Sequence, residues 1–192
     1  MKKLITLALT AALLLGLIAC GEASEAAAPR PEDKPSRVNY YNADGALRFS
    51  TTYEYDTKGN DIRREQHFAD GKVFTYECKN TYNKKGQLVR IEVCINNGDA
   101  DIITREYNAE GQLIRSTLST HESGNVTTYT YDNQGQLIQS ETENYMDDST
   151  STSTYEYDAQ GLLTRQNSYD GDGQLYGYYI YEYERRPLWK PG

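Results

Sequence analysis

The chain has 192 residues, a formal net charge of −8 and 25% charged residues, with 18 tyrosines, five prolines, three cysteines and two histidines. Its length suits one domain of ordinary size once terminal segments are set aside. The acidic balance disfavours nucleic acid and anionic lipid head groups, whose phosphates need basic residues to neutralise them. The abundance of Tyr, with many Thr and Val, favours a β fold.

The first nineteen residues place Lys2 and Lys3 ahead of an uninterrupted apolar stretch from Leu4 to Ala19. A basic start and a short apolar core mark an export signal and exclude a core helix. Its removal with both lysines takes the net charge from −8 to −10. The run Leu17-Ile18-Ala19-Cys20 resembles the lipobox of bacterial lipoproteins. That resemblance implies cleavage before Cys20 and acylation of its thiol and amine, and more than one acyl chain is what stable anchoring requires. Gly21 stands where an aspartate retains such proteins at the inner membrane, so the resemblance implies the outer membrane of a bacterial envelope. Residues 20–36 are rich in Ala, Pro, Glu and Ser with no aromatic residue, and are expected to be a disordered tether.

Residues 37–186 form the expected folded domain, followed by a tail over 187–192. A seven-residue unit recurs here: YNADGAL from Tyr41, YDTKGND from Tyr55, YNKKGQL from Tyr82, YNAEGQL from Tyr107, YDNQGQL from Tyr131, YDAQGLL from Tyr157 and YDGDGQL from Tyr169. A repeat at regular spacing signals a repeat architecture. The Asp or Asn opens a turn, and the glycine supplies the left-handed residue of a hairpin loop with a bulge. Each tip then pairs its tyrosine with its leucine across the hairpin: Tyr41 with Leu47, Tyr82 with Leu88, Tyr107 with Leu113, Tyr131 with Leu137, Tyr157 with Leu163 and Tyr169 with Leu175. Return turns fall at Asp70-Gly71, Asn97-Gly98, Ser123-Gly124 and the polar run Asp147 to Ser153.

The prediction is an all-β fold, a single antiparallel meander of about twelve strands. They fall near residues 37–42, 46–56, 60–69, 72–83, 87–96, 100–108, 112–120, 125–132, 136–145, 151–158, 162–169 and 174–184. A sheet this long twists and curls. Tyr53, Tyr55, Tyr76, Tyr82, Tyr129, Tyr131, Tyr155, Tyr157, Tyr179 and Tyr181 share the leucine face, expected to be concave. Ile62, Val89, Ile91, Val93, Ile114 and Ile138 are expected on the opposite face. The first and last strands are expected to remain unpaired edges, one of them blunted by Arg185-Arg186-Pro187.

The stretch GNVTTYTYDNQGQLI from Gly124 resembles the YD repeat of Rhs and teneurin-type proteins, and the resemblance extends over nearly all of residues 40–184. In that family long arrays make a β-sheet that spirals into a hollow shell, often around a toxin. This chain has far fewer copies, and nothing after them resembles the family's cleavage motif or toxin, so shell and cargo are not implied.

Cys78 and Cys94 flank the Asn83–Gly86 turn. With Asn83 opposite Gln87 they fall on one face, one diagonal step apart, and a bulge that slips the register is expected to bring them opposite. Export favours a disulfide; two free buried thiols are the alternative. Tyr55, Tyr82, Tyr107, Tyr131 and Tyr157 form a stripe that is either a ligand platform or the repeat's own core. The acidic runs at Asp170–Gly173 and Asp99–Asp101 lack the spacing of a calcium loop. His67 and His121 have no partner at metal or triad spacing. No catalytic residue, metal or cofactor is expected.

The function that fits is a non-enzymatic, lipid-anchored envelope protein whose sheet binds or scaffolds a protein or glycan, with the membrane as second partner. Two rivals are an accessory or immunity-type partner of an Rhs-like toxin, joined by strand addition at an edge, and an envelope enzyme with a site assembled from distant strands.

Overall fold

The computed structural model describes residues 34–183. The export signal, Cys20, the linker up to residue 33 and the segment beyond Tyr183 with Arg185, Arg186 and Pro187 lie outside them. Twelve strands follow in chain order: β1 (Arg37–Asn42), β2 (Leu47–Tyr55), β3 (Asp61–Phe68), β4 (Val73–Tyr82), β5 (Leu88–Ile95), β6 (Ala100–Tyr107), β7 (Leu113–Ser119), β8 (Gly124–Tyr131), β9 (Leu137–Asn144), β10 (Thr150–Tyr157), β11 (Leu163–Asp170) and β12 (Leu175–Glu182). Each expected strand is present, with its ends displaced by at most two residues.

The repeat acts through its turn. At Asp132–Gly135 the Gly135 amide donates to the Asp132 carbonyl (3.1 Å) and the Asp132 amide to the Gln136 carbonyl (2.9 Å). Gly135 has a φ of 82°, the left-handed conformation that closes a type I turn and opens a bulge. The Asp132 carboxylate accepts the amides of Gln134 and Gln136 at 2.9 and 2.8 Å. All seven copies make the two backbone bonds, and an eighth turn at Phe68–Gly71 makes them as well. That one escapes the motif because Phe68 replaces the acid.

All six tyrosine–leucine pairs form in the expected register. Beyond each pair the ladder slips by one residue: Tyr131 faces Leu137, but Thr130 faces Gln139, leaving Ile138 as the extra residue of a bulge. An extra residue inverts the alternation of everything downstream. Ile62, Ile114 and Ile138 do point outward, 40%, 39% and 43% exposed, whereas Ile91 and Val93, expected beside them, are turned inside and are 1% and 0% exposed.

The expectation of unpaired edges is overturned. β1 pairs with β12 along its whole length, from Arg37 opposite Glu182 to Asn42 opposite Gly177, and closes the meander into a barrel. The curl that a long twisted sheet favours is completed here, and closure removes both edges. A glycine makes the seam fit, because a Cβ on Gly177 would stand 2.2 Å from the Tyr40 hydroxyl and 2.6 Å from Cζ of its ring. Tyr40 in turn stacks on Phe49 at 4.9 Å and tilts against Tyr179 at 4.7 Å. The tether ends earlier than expected: Lys34 is buried, and the Ser36 amide donates to the Glu182 carbonyl at 2.9 Å.

Inside lie an aromatic cluster beneath the seam, around Val38, Tyr40, Phe49 and Tyr179, and a more aliphatic one around Leu88, Ile91, Val93 and Ile103. A smaller cluster of Leu113, Tyr129 and Leu137 lies between them. Leucines at positions 88, 113, 137 and 163 are all buried.

Candidate functional site

The copies at Tyr55, Tyr82, Tyr107, Tyr131 and Tyr157 follow even-numbered strands, so their tips share one end of the barrel, whereas those at Tyr41 and Tyr169 follow odd-numbered strands and lie at the other. The five tyrosines on the shared end form a collar within the wall, and each is half-buried. Their hydroxyls are engaged with the chain itself. Tyr107 donates to the Leu88 carbonyl (2.8 Å), Tyr131 to that of Leu113 (2.9 Å) and Tyr157 to that of Leu137 (2.8 Å). Each repeat therefore clasps the leucine of the repeat before it. Tyr183 continues the series by donating to the Leu163 carbonyl at 2.8 Å, without a YD motif of its own. At the start of the ring Tyr55 donates to the Pro35 carbonyl at 2.8 Å, and Tyr82 to the Asp56 carboxylate. Of the two readings of the stripe, these bonds favour the repeat's own core.

The alternation inverted by the bulges also places charge inside. On β3 it turns Arg64 inward, 1% exposed, with its Nη1 3.3 Å from the Asp61 carboxylate and its guanidinium 4.5 Å from the centre of the Tyr76 ring. Burial works against the Arg64 charge, but Asp61 keeps its pKa above the ordinary value. The Cys78 thiol donates to Asp61 at 3.6 Å; burial, then Asp61, push its pKa up to about 12. Arg105 of β6 is also buried. Tyr76 and Tyr181 donate to the Gln66 and Gln166 side chains at 2.7 and 2.8 Å. Burial pushes the hydroxyl pKa of Tyr129, Tyr155, Tyr179 and Tyr181 far up. Residues 61, 64, 66, 105 and 166 are not singled out by the sequence: for 64, 66 and 166 the available signal is the alternation recounted past the bulge, whereas 61 faces Tyr55 and 105 shares the face of Tyr107 without it.

Cys78 and Cys94 are not joined, which corrects the expected disulfide. Cys78 faces Val93 and Cys94 faces Glu77, because the bulge moves the register by a single step and sends Cys94 to the opposite side of the wall. The Asp170 carboxylate accepts the amides of Asp172 and Gln174 at 3.1 and 2.9 Å, the ordinary work of the turn. Asp101 points inward from β6 opposite Val93, and burial raises its pKa. His67 lies on the outer wall, its Nε2 3.5 Å from the Glu65 carboxylate.

The outer wall is polar. Arg63 and Glu65 on β3, Glu77 and Lys79 on β4 and Arg90 and Glu92 on β5 face away from the interior at mid-strand. Facing lipid, each cation there would cost about 2–4 kcal/mol at mid-bilayer; the wall is made for water. Four of the most exposed apolar residues stand at the end opposite the collar: Leu47 (45%), Val73 (46%), Tyr145 (59%) and Met146 (71%). Tyr145 is held there by its amide, which donates to the Gly124 carbonyl at 3.0 Å.

No curated protein matches the chain by sequence. Among solved structures it is similar to a porin-like protein from Bacteroides uniformis (15% identity, 81% of this chain and 98% of that one, TM-score 0.40). It is also similar to the hypothetical lipoprotein YmcC from Escherichia coli (14% identity, 80% and 86%, TM-score 0.34). A third likeness is to the TcdB2-TccC3-Cdc42 structure (20% identity, 70% of this chain but 9% of that one, TM-score 0.26). At these scores the likeness does not extend to function. The sequence profile described as RHS Repeat matches residues 107–145, which run from the last residue of β6 through its tip and β7 to β9 to the first residue of the turn beyond. Residues 107–145 thus match an RHS repeat, and the hairpins to which they belong close into a barrel.

Proposed function

We propose that this protein is a non-enzymatic, lipid-anchored binding protein of the bacterial envelope, attached through Cys20 and engaging a protein or glycan through the end of the barrel remote from the collar. The observation that carries this is polarity of placement. The chain enters at Lys34 on the collar end, and Leu47, Val73, Tyr145 and Met146 are exposed at the other. The stretch from Cys20 to Lys34 can hold that end at most roughly 50 Å from the lipid. The inward-facing charges Asp61, Arg64 and Arg105 are buried among packed side chains, and the tyrosine hydroxyls of the collar are bonded to the chain. Both features support a scaffold over a catalytic cavity. The pairing of β1 with β12 leaves no free edge strand among the described residues, which weighs against strand addition to a toxin sheet.

The test is photo-crosslinking in intact cells, with the crosslinker at Met146 or Val73 and, as control, at the outward-facing Thr128 of β8. The reading predicts a discrete adduct from the far-end positions and none from Thr128. Absence of any adduct from the far end, with the protein folded and anchored, refutes it. Cys20→Ser should release the protein from the membrane fraction.

A further inference from the structure

Both ends of the described chain, Lys34 and Tyr183, lie at the collar end, and charge is divided unequally between the two ends of the barrel. The six connections remote from the collar (residues 43–46, 69–72, 96–99, 120–123, 145–149 and 171–174) carry seven acidic residues against Lys72 alone, a net of −6. The five at the collar (56–60, 83–87, 108–112, 132–136 and 158–162) carry four acidic residues against Lys58, Lys84 and Lys85, a net of −1. Among the connections, the acidity that disfavours contact with phosphate thus lies at the far end.

The bulges supply the second feature. Ile62, Val89, Ile114 and Ile138 are the extra residues of β3, β5, β7 and β9, all at the same height beside the collar and all directed outward. They form an interrupted apolar girdle in which neighbours are two strands, about 10 Å, apart. Three of them are 40%, 39% and 43% exposed. Lys58 stands ahead of Ile62, and Lys84 and Lys85 ahead of Val89, so on this side of the collar cationic tips with apolar residues just behind them match the depth profile of a bilayer surface, phosphate outside and acyl boundary beneath.

We infer that the collar end is a membrane-seating surface, with Lys84 and Lys85 on phospholipid head groups, the apolar girdle at their boundary and the acidic end directed away from the lipid. This rests on the anchored reading above, and it adds an orientation that a tether alone does not impose.

The test uses the full lipidated chain in vesicles of phosphatidylethanolamine and phosphatidylglycerol. A fluorophore is placed at Gln134→Cys on a collar tip or at Met146→Cys on the far end, each in a Cys78→Ser/Cys94→Ser background. Strands of eight residues, tilted as in a barrel, put the far end about 20 Å above the head groups. A head-group quencher should therefore act several-fold more strongly at position 134 than at 146. Lys84→Glu/Lys85→Glu should bring the two close to parity while the protein still floats with the vesicles. Equal quenching of the unaltered chain that floats overturns the orientation and leaves the anchor standing. A chain that fails to float overturns the anchor and the seating with it.

Discussion

Gly177→Ala is the substitution that most sharply probes how the seam packs. The added methyl would meet three atoms of Tyr40, the hydroxyl at 2.2 Å, Cζ at 2.6 Å and Cε2 at 2.8 Å. All are closer than packed carbon atoms approach, and the ring cannot swing aside freely, since Phe49 and Tyr179 hold it at 4.9 and 4.7 Å. Overpacking of this kind costs about 1–3 kcal/mol. Set against it is about 0.4–1 kcal/mol from the lower entropy of the unfolded chain, leaving a destabilisation of about 1–2 kcal/mol. For a domain of this size that lowers Tm by roughly 2–8 °C. Urea unfolding followed by circular dichroism, in a double-mutant cycle with Tyr40→Val, isolates the cause. Gly177→Ala should be near neutral once the ring is gone. The same cost in both backgrounds, or a stabilisation in the native one, refutes the close approach of β12 to Tyr40.

Tyr131→Phe and Tyr157→Phe each remove one clasp between repeats, and should each cost about 0.5–1.5 kcal/mol, close to additively, in the same unfolding assay. Asp61→Asn takes the carboxylate from the buried Arg64 and should cost about 3–5 kcal/mol, read as a lower urea midpoint at unchanged slope. The native protein at mildly alkaline pH should be alkylated at Cys94 and spared at Cys78, whose thiol is both buried and pushed up to about 12; mass spectrometry of the digest checks this. The same direction of shift at Tyr129, Tyr155, Tyr179 and Tyr181 sets an alkaline limit. Their raised folded pKa contributes stability that is fully present below the ordinary tyrosine value near 10 and is lost as pH rises beyond it, so tyrosinate absorbance should appear together with loss of the β signal.

The strands and tips were legible because their chemistry is local: an acid or amide, two residues and a glycine specify the turn, and the turn specifies the tyrosine–leucine pair. Facing was legible only up to each bulge. Tyr129 and Tyr131 lie ahead of one and point where alternation puts them; Ile91, Val93, Arg64 and Cys94 lie beyond one and point the other way. A single extra residue is invisible to a count of alternating positions, yet it decides whether Cys94 meets Cys78. Closure is a property of strands some 140 residues apart, and nothing near Arg37 or Glu182 distinguishes an open end from a paired one. Its trace in the sequence was the inward glycine at 177, legible only beside Tyr40. The collar was half legible, since the five tyrosines recur visibly, but the acceptors of their hydroxyls lie some twenty residues back in the chain: a leucine carbonyl of the preceding repeat for Tyr107, Tyr131 and Tyr157, the Asp56 carboxylate for Tyr82 and the Pro35 carbonyl for Tyr55.

The distance between Arg37 and Glu182 tests closure most directly, because these exposed residues are partners in the seam. Spin labels at both positions, in a chain with Cys78 and Cys94 replaced by serine, should report a separation within roughly 20 Å for strands paired at about 5 Å. An open meander of the same twelve strands would part them by roughly 50 Å, and a distance of that order in the folded protein contradicts the barrel.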